Sequence, residues 1–175
     1  MSFSKISPKV NRDERGSLFE VLSKEAFPQV SAKHIYISRS SRGVVRGFHQ
    51  QLRYPQMKLV YCLDGEVADF GLNIDPHSDD FGSVSMANLC GDLGEGVLIG
   101  RDYAHAFECL SESCSLLYIC DYEYVADDQL GISPLDVSLL SLWHSAQPLL
   151  SEKDKKGLSL EEAKNLLINK LKEEL

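Results

Sequence analysis

Residues 56–74 read QMKLVYCLDGEVADFGLNI, two runs rich in Val, Leu, Tyr and Phe around the turn pair Asp64-Gly65. Each run has strand length, and Asp-Gly between apolar runs is a hairpin signal. Working outward, further short runs fit the same pattern: His34–Ser38, Val44–His49, Ser83–Leu89, Gly96–Ile99, His105–Cys109 and Ser115–Tyr122. Turn signals separate them at Asp75-Pro76-His77, Gly91-Asp92 and Gly94-Glu95. Many short strands at regular spacing predict an all-β sandwich or small barrel. After them the period changes. Ser159-Leu160-Glu161-Glu162 is a capping box, and Leu160, Ala163, Leu166, Leu167 and Leu171 recur at helical spacing. A C-terminal helix over about 159–173 is expected to pack outside the β core.

The chain of 175 residues suits one domain, 43% apolar and 25% charged. The opening MSFSKISPKV has no long apolar run, so no signal peptide is expected, nor does any stretch approach the roughly 20 apolar residues of a membrane span. The expected compartment is the cytoplasm. Five cysteines, Cys62, Cys90, Cys109, Cys114 and Cys120, form no CxxC pair and read as small buried hydrophobes. The net charge of −8 argues against nucleic acid as main partner. No Asp or Glu occurs from Ala26 to Leu63, a stretch holding Lys33, Arg39, Arg42, Arg46, Arg53, Lys58, His34 and His49. Such a segment reads equally as a pocket for a small anion, such as a diphosphate, and as a solvated basic face.

Of five histidines, His49 and His105 have the most suggestive surroundings. His49 closes Arg46-Gly47-Phe48-His49, where glycine permits close backbone approach; His105 sits in Tyr103-Ala104-His105-Ala106-Phe107. His77 and His144 are given bland roles. A barrel metal site would need a His-x-His pair and a later acid; Gln51 and Lys58 stand there instead. An amide is a poor ligand and an ammonium repels a cation, so no metal is expected. Nucleophile elbow, Walker loop and dinucleotide fingerprint are all missing from the sequence. What remains, His, Lys, Tyr and Asp, is a set suited to proton transfer.

These residues resemble a known family, the dTDP-4-dehydrorhamnose 3,5-epimerases of the cupin superfamily. Asp13-Glu14-Arg15-Gly16 with Phe19-Glu20 resembles its DxRG…FE element, and Arg46-Gly47-Phe48-His49 with Gln51 its RGLHxQ. Gln56-Met57-Lys58-Leu59-Val60 with Gly65-Glu66-Val67 and Asp69 resembles QxKLV…GxVxDV. Phe81-Gly82, the run Tyr103–Phe107, Leu117-Tyr118, Asp121–Tyr124, Asp136, Trp143 and Leu150–Asp154 continue the match in order. The resemblance spans about 13–154. It implies a cupin, or double-stranded β-helix (jelly-roll), barrel with a few peripheral helices. It implies a homodimer acting on a nucleotide sugar, without cofactor, that inverts C3, C5 or both in a 4-keto-6-deoxy sugar.

By the same resemblance His49 is the general base, Asp154 its orienting carboxylate, Lys58 the enolate partner and Tyr118 the general acid. Arg15, Arg46 and His105 are expected at the diphosphate. Phe19 and Glu20 are expected at the nucleotide base of a partner subunit's site, and Gln51, Tyr124 and Lys153 at the substrate. Where the family has Gln-x-Asn, this chain has His34 and Tyr36. Such departures cluster in substrate-facing loops, so the resemblance implies that the proton-transfer set is kept and leaves the sugar and the nucleotide open. Two alternatives stay open: a 3,4-ketoisomerase on the same substrate class, and a cupin that only binds a sugar nucleotide.

Overall fold

The computed structural model of the protein describes residues 3–173; the side chains of 171–173, Leu171 of the expected apolar stripe included, lie outside the described set. Its strands are β1 (Ser4–Ile6), β2 (Asn11–Asp13), β3 (Gly16–Leu18), β4 (His34–Ser41), β5 (Val45–Gln51) and β6 (Lys58–Asp64). They continue as β7 (Glu66–Asn73), β8 (Val84–Cys90), β9 (Gly96–Ile99), β10 (Tyr103–Cys109), β11 (Ser113–Cys120) and β12 (Gln129–Gly131). Two helices follow, α1 (Glu152–Lys155) and α2 (Leu160–Glu173). All eight expected strands are present. The four unexpected ones, β1, β2, β3 and β12, are each three residues long, too short to show a period.

Two five-stranded antiparallel sheets face each other, ordered β1-β9-β6-β11-β4 and β12-β5-β10-β7-β8; β2 and β3 form a separate hairpin. Alternation along each strand sorts side chains into three apolar layers. Between the sheets lie Val60, Cys62, Val97, Ile99, Phe107 and Leu116. Outside the first sheet, Leu59, Tyr61 and Ile119 pack under Phe19, Val21, Leu22 and Phe27. Outside the second, Phe48, Phe70, Leu72 and Ala106 pack under Leu139, Trp143 and Ala163. Helix α2 joins this last layer through Leu160, Ala163 and Leu167, whereas Leu166 stays 40% exposed. The capping box forms as expected: Glu162 N–H donates to Ser159 Oγ at 3.2 Å, and Glu162 Oε2 accepts from Ser159 N–H at 2.8 Å.

Cys62, Cys109, Cys114 and Cys120 are buried free thiols, as read from their apolar runs, and Cys90 is half-buried. At one end of the inter-sheet space the apolar lining gives way to polar groups, and there the sheets enclose a cavity of about 290 Å³.

Candidate active site

Strand β5 delivers two of the expected residues by departing from regular alternation. It pairs with β10 so that His49 lies opposite His105 and Arg46 opposite Phe107, three residues matched against two. That bulge lets Arg46 and His49 both face the cavity, which a plain period of two forbids. Gly47, at the bulge, has φ +120°, and an added Cβ would sit 2.4 Å from His105 O and 2.5 Å from Ala106 Cβ. Only glycine tolerates both the backbone conformation and the approach.

His49 Nε2 lies 2.7 Å from Asp154 Oδ1. An ionised carboxylate only accepts, so Nε2 carries the proton and the lone pair is left at Nδ1. Asp154 comes from α1, which the sequence did not announce. Ser151 caps this single turn: Asp154 N–H donates to Ser151 Oγ at 3.0 Å, and that hydroxyl donates to Asp154 Oδ2 at 2.8 Å. The carboxylate is therefore buried and held from two sides. Burial would raise its pKa; the bond from His49, the His49 charge, the Ser151 bond and the Arg46 charge hold it below the ordinary value.

Lys58 opens β6 on its inward face and is buried. Its ammonium donates to His49 O at 3.1 Å and Gln50 Oε1 at 3.3 Å. Burial lowers its pKa to about 8, against pulls from Cys120 and Asp121 that favour the charged form. Tyr118, two residues from the end of β11, is buried with its ring flat on Tyr36, centroids 4.4 Å apart, and His105 edge-on at 5.7 Å. Burial, with added effect from Tyr36 and Asp69, pushes its phenol well above the ordinary value. His105 is paired in turn with Asp69, Nε2 to Oδ2 at 2.9 Å, both buried; burial pushes that carboxyl up against the pull of His105.

His49, Lys58, Tyr118 and Asp154 thus line one cavity, with Arg46, His105, Gln51, Tyr124 and Lys153 beside them. Gln51 has its amide engaged, donating to Tyr54 O and Glu123 O and accepting from Val125 N–H. Lys153 is held by Gln129 Oε1. Three of the eight cationic or imidazole groups of the acid-free segment, Arg46, His49 and Lys58, reach the cavity. Arg15, Phe19 and Glu20 do not line it. Arg15 is exposed on the β2–β3 hairpin, paired with Asp13, and Phe19 packs against Tyr61 and Gly94. Among the described residues, no three His, Cys, Asp or Glu side chains are gathered as a metal would need. Gln50, Gln56 and Asp69 line or brace this site and were assigned no role from the sequence. For Asp69 the signal was a lone acid inside an apolar strand.

The profile of the dTDP-4-dehydrorhamnose 3,5-epimerase family matches residues 2–162. A dTDP-4-dehydrorhamnose 3,5-epimerase from Shigella flexneri is 35% identical over 156 residues, 86% of each chain. The crystal structure of a dTDP-6-deoxy-D-glucose-3,5-epimerase from Legionella pneumophila, in complex with dTDP-4-keto-L-rhamnose, is similar with TM-score 0.86 and 32% identity. That match covers 91% of this chain and 88% of that one. A 3'-monoepimerase from Streptomyces bikiniensis, in complex with dTDP-quinovose, has TM-score 0.89 and 25% identity, covering 99% and 93%.

Proposed function

Since the chain belongs to the dTDP-4-dehydrorhamnose 3,5-epimerase family, a family of isomerases, we propose that it inverts C3, C5 or both in a nucleotide-linked 4-keto-6-deoxy sugar. The product class is deoxysugar precursors of glycans, surface polysaccharide among them. The observation that carries this reading is the 2.7 Å His49–Asp154 pair facing the same cavity as buried Lys58 and Tyr118.

The chemistry follows from the residue types. A C4 ketone acidifies the C–H bonds at C3 and C5. His49 takes a proton at its free lone pair, and Asp154 steadies the imidazolium that forms. Electrons of the broken C–H bond move onto the ketone oxygen, where the Lys58 ammonium offsets the new charge inside a site of low dielectric. Tyr118 returns a proton to carbon from the opposite face, inverting the centre. Its raised pKa keeps the hydroxyl protonated at neutral pH, and an enolate carbon is basic enough to take that proton. Solvent exchange then restores both groups, with nothing oxidised. Arg46 and His105 are assigned to the diphosphate, and Gln51, Tyr124 and Lys153 to the remaining substrate contacts.

The proposal includes a homodimer in the cytoplasm. Strand β4 is a sheet edge with Ile35 60% and Ile37 53% exposed, an apolar surface that asks for cover. Arg15, Phe19 and Glu20, remote from their own chain's cavity, are then available to a neighbour's. No described helix is long and apolar enough to cross a membrane.

The test is isotope exchange. Incubation with dTDP-linked 4-keto-6-deoxy sugars in D₂O, followed by proton NMR, should show deuterium entering C3, C5 or both with the C4 carbonyl in place. His49→Ala should abolish it. No exchange with any such sugar would end the epimerase reading, and a carbonyl moved to C3 would replace it with a ketoisomerase.

A further inference from the structure

Gln50 lies between the expected base and Gln51, and its side chain is buried against the cavity wall. Its amide makes more contacts than any other in the site. Nε2 faces three backbone carbonyls, Gln56 O at 3.0 Å, Tyr103 O at 3.0 Å and Arg101 O at 3.2 Å. Oε1 accepts from Gln51 N–H at 3.0 Å, Gln56 N–H at 3.1 Å and the Lys58 ammonium at 3.3 Å. These partners fix which way the amide points. Reversed, it would set N–H groups against two backbone N–H donors and an ammonium, and oxygen against three carbonyls.

The charge around Lys58 makes that orientation matter. Asp121, just past the end of β11, is the carboxylate whose charge favours the ammonium, and it is occupied, accepting from Met57 N–H at 2.8 Å and bridged to Arg101. Cys120 faces Lys58 from β11 as a thiol whose own pKa burial raises to about 11. Across the cavity, Asp154 is committed to His49 and Asp69 to His105, while Arg46 and Tyr118 add a cation and a neutral phenol. Among the described residues, no carboxylate is paired with the ammonium. The two acceptors it reaches are both neutral, His49 O and Gln50 Oε1. An ammonium has three N–H donors, so one remains for a ligand oxygen.

We infer that Gln50 is a positioning residue for the reaction: its locked amide oxygen holds Lys58 protonated and aimed at the cavity without neutralising it. A carboxylate there would cancel the charge that an enolate needs; an apolar side chain would leave the buried ammonium too weakly held to stay charged. The inference rests on the epimerase reading for its consequence, but its physical content concerns Lys58 alone.

Two variants test it. Gln50→Met fills the space without the oxygen, and Gln50→Asn keeps an amide for backbone groups while withdrawing the oxygen from the ammonium. In both, Lys58 should titrate lower than in the parent protein by about one pH unit. This is read on substrate-free protein by NMR of ¹³Cε-labelled lysine, with the Lys58 signal assigned through Lys58→Arg. The alkaline limb of the exchange rate should move down with it, and kcat should fall roughly tenfold or more with KM changed far less. An unmoved Lys58 titration in a folded variant overturns the inference, as would loss of folding in both variants, which would make Gln50 a brace of the loop only. If the parent protein shows no exchange, the epimerase reading fails while the NMR titration still decides the role of Gln50.

Discussion

Lys58 is a buried cation whose nearest acceptors are neutral, and that has a thermodynamic cost as well as a catalytic use. Its folded pKa of about 8 lies below the roughly 10.4 of a free lysine. The charged form is thus penalised by folding at every pH below about 8, and the penalty is relieved as pH rises from about 8 to 10.4. The difference is on the order of 3 kcal/mol at pH 7. Lys58→Met should therefore melt several degrees above the parent at pH 7, and the gap should close toward pH 10. The same variant should lose exchange activity by roughly a hundredfold or more, since a donor aimed at developing negative charge is gone. Thermal melts at the two pH values beside a rate assay decide it; a variant no more stable than the parent at pH 7 would contradict a strained charge. The sequence pointed to Lys58 through the family resemblance, which implies an enolate partner there; its place in the strand by itself argued only against a metal. The sequence was silent on Gln50, since a glutamine between two candidate residues carries no chemistry until its six partners are in place.

At the scale of elements, the strands were legible because their period of two survives in the core. His49 and Arg46 were legible as a pair only by their closeness in sequence. A regular strand would have sent them to opposite faces, and the bulge that reconciles them depends on Gly47. Gly47→Ala puts a methyl within 2.4–2.6 Å of His105 O and the Ala106 Cα and Cβ atoms, at φ +120°. Strain and overpacking together cost about 2–5 kcal/mol. The melting temperature should fall by roughly 5–15 °C, with activity lost even in what remains folded, because Arg46 and His49 can no longer share a face. A drop under about 2 °C would show that the bulge adapts. The short helix α1 was illegible for a different reason. It is one turn long, and what makes Asp154 a buried partner is the Ser151 cap and contact with β5, both set by the tertiary fold.

For the whole molecule, one chain leaves two things unfinished. The β4 edge exposes Ile35 and Ile37, and the β2–β3 hairpin carries Arg15 and exposed Leu18 away from the cavity. A sheet edge with unpaired backbone groups and apolar side chains invites a second strand. If two copies join along β4, both deficits are met together: the edge is covered, and each hairpin is free to approach the other's site. The parent should then sediment at twice the chain mass. The paired substitution Ile35→Glu and Ile37→Glu places like charges directly at that edge and should yield a folded monomer, since both side chains lie outside the apolar layers. Activity distinguishes cover from completion. Should the hairpin serve the neighbour's site, the monomer loses exchange although His49, Lys58, Tyr118 and Asp154 are untouched, and Arg15→Ala in the intact dimer reproduces part of that loss. A fully active monomer would confine the edge to covering apolar surface and return Arg15, Phe19 and Glu20 to a structural role.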